Sequence, residues 1–348
     1  MTSNMETAWQ SKTAIEGGEN LVTSLCLQID LALERLVPVG SSCALIDFPN
    51  YQNPGDSAIW CGQREALSRR RVRIVYACDV VNYSQDLLSA SLEKDSIILM
   101  QGGGNFGDIW GDHQPLREEV IAAFPGNRIV MLPQSICFRQ DENLSRARAI
   151  FNAHPQLTLM VREKQSLDFA LSEFQVPVVL CPDSAFALRE LRLQAPVSEE
   201  IIWLARTDLE SLGRPLPALD SRVQLVDWPE EGERFSRLAK SLTGQAQPLR
   251  RWWWQLYPFK LRTYDWLARL RLERACRTLS RARVVVTDRL HGHVLCLLMG
   301  IPHVLLDNSY GKIRSLFETW TSGSRLVRWA ESPQEALQLA MALLKSTS

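Results

Sequence analysis

The chain has no excess charge of either sign: 39 lysines and arginines balance 39 aspartates and glutamates over 348 residues. That balance excludes a global pull towards nucleic acid or anionic lipid and leaves only local patches for such contacts. No stretch approaches the roughly 18 consecutive apolar residues of a membrane span, so no spanning helix is expected. Histidines are few, and the eight cysteines (Cys26, Cys43, Cys61, Cys78, Cys137, Cys181, Cys276 and Cys296) form no C-x-x-C pair and meet no histidines at zinc-finger spacing. No metal site is expected from them. Most lie in apolar runs, where a reduced thiol acts as a small hydrophobe, and a reducing cytoplasm is the simplest reading. Residues 1–20 are polar and acidic, lack the basic and apolar regions of a secretory signal, and read as a flexible N-terminus. Internal repeats and low-complexity tracts are also missing.

What is present is an alternation. Short β-rich apolar runs at 43–46, 72–77, 97–100, 128–132, 157–161 and 176–180 are separated by helix-compatible segments at 57–68, 114–124, 142–154 and 163–174. Strands alternating with helices predict a parallel sheet covered on both faces. A charged stretch, 189–200, precedes a second set of strands at 201–205, 223–226, 283–287 and 303–306. The length exceeds what one core usually fills, which predicts two α/β units: an N-terminal doubly wound domain over 21–190 and a C-terminal one over 191–348, its last helices packing back on the first. Two such halves facing each other leave a cleft between the carboxyl ends of their strands. Residues 211–219, rich in Pro and Gly, read as a surface loop.

The polar motifs fall at those strand ends. Thr287-Asp288-Arg289-Leu290-His291-Gly292-His293 lies between an apolar run and a helix start, so backbone N–H groups, an arginine and a histidine converge where a phosphate or carboxylate would bind. A structural histidine is the competing reading for His291. His293, two residues on, does not share its helical face, which argues against a metal pair. Gly102-Gly103-Gly104-Asn105-Phe106-Gly107-Asp108 is neither a dinucleotide fingerprint nor a P-loop, and reads as a tight turn or a ligand loop. In Asn53-Pro54-Gly55-Asp56, Asp56 reads as a helix N-cap on a loop that still lines the cleft. Asp183 either caps the following helix or presents a carboxylate to a substrate hydroxyl. Arg206 suits anion recognition, in competition with pairing to Asp208 or Glu210, and Lys312 adds a second cation.

Residues 250–289 carry eleven Lys/Arg against three Asp/Glu and include Trp252-Trp253-Trp254. Aromatics flanked by basic residues suit a membrane interface or sugar stacking; a solvated helix face beside a tryptophan-rich core edge is the bland alternative.

Taken in order, these motifs, with Leu132-Pro133-Gln134-Ser135-Ile136, Pro182-Asp183-Ser184-Ala185-Phe186, Arg206-Thr207-Asp208-Leu209-Glu210 and Asp307-Asn308-Ser309-Tyr310-Gly311-Lys312, make the chain resemble the polysaccharide pyruvyl transferase family over residues 43–320. The resemblance implies a GT-B-like fold of two facing Rossmann-like doubly wound domains with an interdomain cleft. It also implies transfer of a pyruvyl group from phosphoenolpyruvate to a sugar, as a ketal, with release of phosphate. Phosphoenolpyruvate is then a co-substrate, bound by Arg206, Arg289, Leu290, His291 and Lys312, and no cofactor or metal is implied. His291 becomes the candidate proton donor; Asp108 and Asp183 are candidates to orient or deprotonate hydroxyls, and Asn53, Asp56, Asn105 and Asp108 are the candidate acceptor-binding set. The acceptor implied is a saccharide or lipid-linked oligosaccharide, with Trp252, Trp253 and Trp254 touching it or the inner membrane face. No nucleic-acid partner is implied. Two departures stand out: Pro54 inside the first motif, and residues 245–260, which look specific to a subgroup and bear on the acceptor while leaving the donor site intact. The alternatives are a nucleotide-sugar glycosyltransferase on the same fold and a catalytically inactive scaffold of a polysaccharide assembly complex.

Overall fold

The computed structural model describes residues 21–346 except 193–194, 209, 211, 229–231 and 245–252. The expected flexible N-terminus, residues 1–20, and Trp252 lie outside the described residues. In the first half the chain runs α1 (Leu21–Leu36), β1 (Ser42–Ile46), α2 (Pro54–Arg69), β2 (Arg73–Cys78), α3 (Gln85–Ser91), β3 (Ile97–Met100), β4 (Gly103–Gly107), α4 (His113–Ala123), β5 (Ile129–Cys137), α5 (Asp141–Ala153), β6 (Leu157–Val161), α6 (Lys164–Glu173) and β7 (Val178–Leu180), then a 3-10 turn, Ser184–Leu188. Its seven strands lie in the order β2-β1-β3-β5-β6-β7, with β4 pairing β5, and the ladders are parallel.

The second half continues β8 (Glu199–Leu204), β9 (Val223–Val226), α7 (Glu233–Thr243), α8 (Trp253–Ser280), β10 (Ala282–Thr287), α9 (Leu290–Met299), β11 (His303–Leu305), α10 (Lys312–Leu316), a π-helical turn Phe317–Thr321, β12 (Val327–Trp329) and α11 (Pro333–Ser346). These five strands form a second parallel sheet in the order β12-β11-β10-β8-β9. Two parallel sheets flanked by helices give an α/β architecture of Rossmann-like build. In both, the winding direction reverses beside the first strand: between β1 and β3, and between β8 and β10. The crevice outside the carboxyl ends at such a reversal is where α/β proteins bind ligands.

The expected strands all form, but the glycine motif departs from the reading as turn or loop. Residues 103–107 are β4, pairing with β5 through an irregular register between Gly103 and Phe106. Gly103 and Gly107 have φ of +132° and +128°, a backbone that residues with a β-carbon rarely adopt. A β-carbon on Gly107 would also meet the Cys137 carbonyl, so glycine is what lets this strand form. Asp56 does not cap α2 either. Asn53 does, its side chain accepting from Gly55 N, and Pro54 takes the first helical position, where a missing N–H costs nothing.

Alternation along β8 and β10 divides the apolar residues between two cores. Ile201, Trp203, Val284 and Val286 face α11, whereas Ile202, Leu204 and Val285 join a main core continuous with that of the first sheet. α8 reaches across to the first half. Asp265 accepts from Trp60 Nε1 at 2.9 Å and pairs with Arg64 of α2, Tyr257 donates to the Ile74 carbonyl, and Arg271 to that of Pro49. The π-helical turn also crosses, with Trp320 Nε1 donating to the Arg162 carbonyl at 2.7 Å. The last helix, α11, packs on the second sheet.

Candidate active site

Two polar clusters meet where the carboxyl ends of the two sheets approach each other. His291, on the first turn of α9, lies directly against the first turn of α2: a β-carbon on Gly55 would stand 2.4 Å from its Nδ1. Its Nε2 is 3.4 Å from Asp183 Oδ2 and has no closer hydrogen-bond partner. Asp183 takes the capping role that the sequence offered and adds an ion pair. Oδ1 caps the 3-10 turn by accepting from Ala185 N at 2.8 Å, while Oδ2 pairs with Arg162 at 2.8 Å. Burial pushes the Asp183 carboxyl up, but the His291 ring and the Arg162 guanidinium outweigh it and hold the group well below the usual carboxylate range.

Beside this triad stands a second set of charges. Lys312, at the start of α10, donates to Glu210 Oε2 and to the Tyr310 hydroxyl, each at 2.6 Å. Arg206, just past β8, also donates to Glu210 and pairs with Asp208 Oδ1 at 2.8 Å. Burial alone would raise the Glu210 carboxyl; Lys312 and Arg206 hold it down at about 2. Burial lowers the Lys312 ammonium against the pull of Glu210. A β-carbon on Gly104 would lie 3.2 Å from Arg162 Nη2 and 3.3 Å from Lys312 Nζ, so the glycine strand brings its bare backbone to both cations.

Arg289 is the N-cap residue of α9, and Leu290, buried, begins the helix. The Arg289 guanidinium is more fully engaged than the sequence led us to expect. Nε and Nη2 donate to the two oxygens of Asp227, each at 2.7 Å, and Nη1 reaches Asp208 Oδ2 at 3.3 Å. His293 points elsewhere: Nδ1 meets His303 Nε2 at 2.7 Å and Nε2 meets Thr321 Oγ1 at 2.8 Å. Burial, with His303 adding to it, lowers the His293 ring well below its usual range, so it is a neutral structural residue.

The structure does not bring Asp108 into this group of contacts. Its carboxylate accepts from Arg139 N at 2.7 Å, Gln140 N at 2.9 Å and the Asn143 amide, bridging the backbone ahead of α5. That is a capping geometry. Asn105 is held by Arg117, which donates to both its carbonyl and its side chain. Asn53 donates to Asp56 Oδ2 at 2.7 Å. Arg162 and Asp227 were missed in the sequence. Each directly follows a strand of a parallel sheet, β6 and β9, and that position was the available signal. Among the described residues no group of three His, Cys, Asp or Glu could hold a metal ion.

Fold and site together define an α/β protein with charged residues clustered at the carboxyl ends of two parallel sheets. Residues 53–310 match the family described as polysaccharide pyruvyl transferase, and the chain belongs to that family. It is 34% identical over 294 residues to Pyruvyl transferase 1 of Schizosaccharomyces pombe, covering 81% of this chain and 70% of that protein. It is 30% identical over 313 residues to the putative pyruvyl transferase EpsO of Bacillus subtilis, covering 86% and 92%. The crystal structure of a functionally uncharacterised protein from Klebsiella pneumoniae superposes with a TM-score of 0.56 at 19% identity, over 88% of this chain and 99% of that one, a likeness of fold.

Proposed function

We propose that the protein transfers the pyruvyl group of phosphoenolpyruvate to a sugar of a lipid-linked polysaccharide repeat unit, forming a cyclic ketal and releasing phosphate. The observation that carries this reading is the meeting of His291 with Gly55, beside Asp183, Arg162 and Lys312. We read the architecture as GT-B-like, with Rossmann-like domains at 21–190 and 191–348, the acceptor on the first side of the cleft and the donor on the second. Phosphoenolpyruvate carries a phosphate and a carboxylate. Arg206, Arg289 and Lys312 are the cations for them, exchanging part of their bonding to Glu210, Asp208 and Asp227 for the incoming anions. Leu290 closes the apolar side.

His291 gives a proton to the methylene carbon, and C2 becomes oxocarbenium-like. The ionised Asp183 complements the imidazolium that such a donor must be. A sugar hydroxyl then adds through oxygen to C2 and loses its proton to a base. The C2–O bond to phosphate breaks with its electron pair on the phosphate oxygen, and a second hydroxyl closes the ketal, its proton passing to the released phosphate. Asn53, Asp56 and Asn105 stand on the acceptor side, and Asp108 supports that side by fixing the start of α5.

A cytoplasmic location, on the inner membrane face, accompanies this reading. Its support is a face of α7 and α8 with Leu238 49%, Leu242 37%, Phe259 61% and Trp266 43% exposed, and with Arg262, Arg269 and Arg277 exposed along the same helix as Trp266. The backbone of Trp253 and Trp254 opens α8. Among the described residues no helix is long and apolar enough to cross a membrane.

The catalytic assignment is tested with His291→Ala. Ketal formation is expected to fall by about 10²- to 10⁴-fold with phosphoenolpyruvate binding within a few-fold of wild type; near-normal turnover would refute the acid role.

A further inference from the structure

Five histidines allow a comparison within one molecule. His154, His293 and His303 are structural by the same criterion: both ring nitrogens of each have a protein partner. His113 differs. Its Nδ1 lies 2.9 and 3.0 Å from the two oxygens of Asp47, and among the described residues its Nε2 has no hydrogen-bond partner. Its side chain is 14% exposed, whereas that of Asp47 is 1% exposed.

The carboxylate in this pair is held in an unfavourable place. Asp47 directly follows β1, at the reversal point of the first sheet, with φ of +77°. A left-handed, buried, non-glycine residue costs on the order of 1–3 kcal/mol and persists only where its surroundings impose it. Here the imposing group is Arg117, fully buried one turn beyond His113 on α4, with Nη2 at 3.5 Å from Asp47 Oδ2. Arg117 in turn clamps Asn105, through its carbonyl at 2.7 Å and its side chain. Asp47 therefore receives the Nδ1 hydrogen of His113, which fixes the tautomer and leaves the Nε2 lone pair free to take a proton.

The pair joins the charged cluster through packed groups. The Tyr51 ring meets that of His113 edge-on at 5.8 Å, and burial first, then the negative charge of Asp56 beside its hydroxyl, raise the Tyr51 phenol well above its usual range. Asp56 Oδ1 lies 3.2 Å from where a β-carbon of Gly103 would stand, and the next residue, Gly104, abuts Lys312. Gly55, beside Asp56, abuts His291. His113 and His291, each with an Nε2 that has no hydrogen-bond partner among the described residues, are thus linked through Tyr51, Asp56 and Gly55, on the first and second halves respectively.

We propose that His113, held by Asp47, is the base on the acceptor side of the reaction. This rests on the pyruvyl-transfer reading and names the group that takes the hydroxyl proton. As a lone pair of the sugar oxygen forms its bond to C2, the O–H bonding pair returns to that oxygen and the proton moves to His113 Nε2. His291 has by then delivered its proton to the methylene carbon. The leaving phosphate carries away the electron pair of the C2–O bond and takes the second hydroxyl's proton. Asp47 is a positioning residue, acting through the imidazole.

The experiment uses the full chain, phosphoenolpyruvate, and a panel of 4-nitrophenyl glycosides of glucose, galactose, mannose and N-acetylhexosamines as probes. His113→Ala is expected to lower kcat by about 10²- to 10⁴-fold, to keep the phosphoenolpyruvate Kd within about threefold, and to recover activity with added imidazole. Asp47→Asn should lower kcat with KM for the glycoside little changed, because the amide presents the wrong partner to Nδ1. A wild-type rate in His113→Ala would overturn the proposal. So would loss of donor binding or of the folding transition together with activity and without imidazole rescue, which would mark a structural residue. Failure of the wild-type protein to bind phosphoenolpyruvate would instead bring down the function itself.

Discussion

Glu210 stands between two cations, Lys312 and Arg206, with only 3% of its side chain exposed. Its carboxyl is held down from 4.5 to about 2, a difference worth on the order of 3 kcal/mol. A depressed folded value means that this stability is complete above the ordinary carboxylate range and is lost as pH falls from about 4.5 towards 2. Urea midpoints measured over that window should therefore fall steeply for the wild type and less steeply for Glu210→Gln, which starts lower at neutral pH because two buried cations lose their partner. Parallel curves would show that the pairing contributes nothing. His291 was legible in the sequence because a strand, a polar turn and a helix start are all local features. The partners of Arg289 were not. Asp227 comes from another strand end, and nothing in a linear reading says that a carboxylate 62 residues away will fill the bidentate face of that arginine.

At the scale of elements, α2 is the helix against which His291 and the 3-10 turn of Asp183 pack. Gly55 and Gly62, seven residues apart, lie on one face of the helix, and each admits a different neighbour. A β-carbon at Gly62 would stand 2.0 Å from the Ser184 carbonyl oxygen, which is backbone; at Gly55 it would meet the His291 side chain. The two alanine variants should therefore separate. Gly62→Ala is expected to lower stability by about 1–3 kcal/mol or more, since the 3-10 turn must move. Gly55→Ala should lower stability less than Gly62→Ala, because it meets the His291 side chain rather than backbone, yet lose most turnover, because the displaced group is the proposed acid. Equal effects of the two on stability and activity would contradict this division. The β4 strand shows where pattern reading stops. Three consecutive glycines signal freedom, and only the pairing with β5 shows that this freedom is used to run a strand past Arg162 and Lys312.

The whole molecule gathers the candidate site residues at the carboxyl ends of two sheets, with α8 reaching from the second half to α2 and a main core continuous between the sheets. The alternation of strands and helices made most of both sheets legible, since all strands but β4 and β12 are short apolar runs bounded by turn residues. The contacts of α8 with α2 were not legible, because Asp265 meets Trp60 and Arg64 about 200 residues away. On α7 and α8, Leu238, Leu242, Phe259 and Trp266 are exposed, with Arg262, Arg269 and Arg277 exposed along α8. Co-sedimentation with phosphatidylglycerol-containing vesicles should weaken in a Phe259→Ser, Trp266→Ser double variant and at high salt. Unchanged sedimentation would remove the membrane face from the account. The central claim is the donor. Incubating the protein with phosphoenolpyruvate and the glycoside panel should release phosphate together with a mass gain of one pyruvate ketal on a glycoside, and both should vanish in His291→Ala. Phosphate release without a ketal, or glycoside modification only when sugar nucleotides are supplied, would contradict the account.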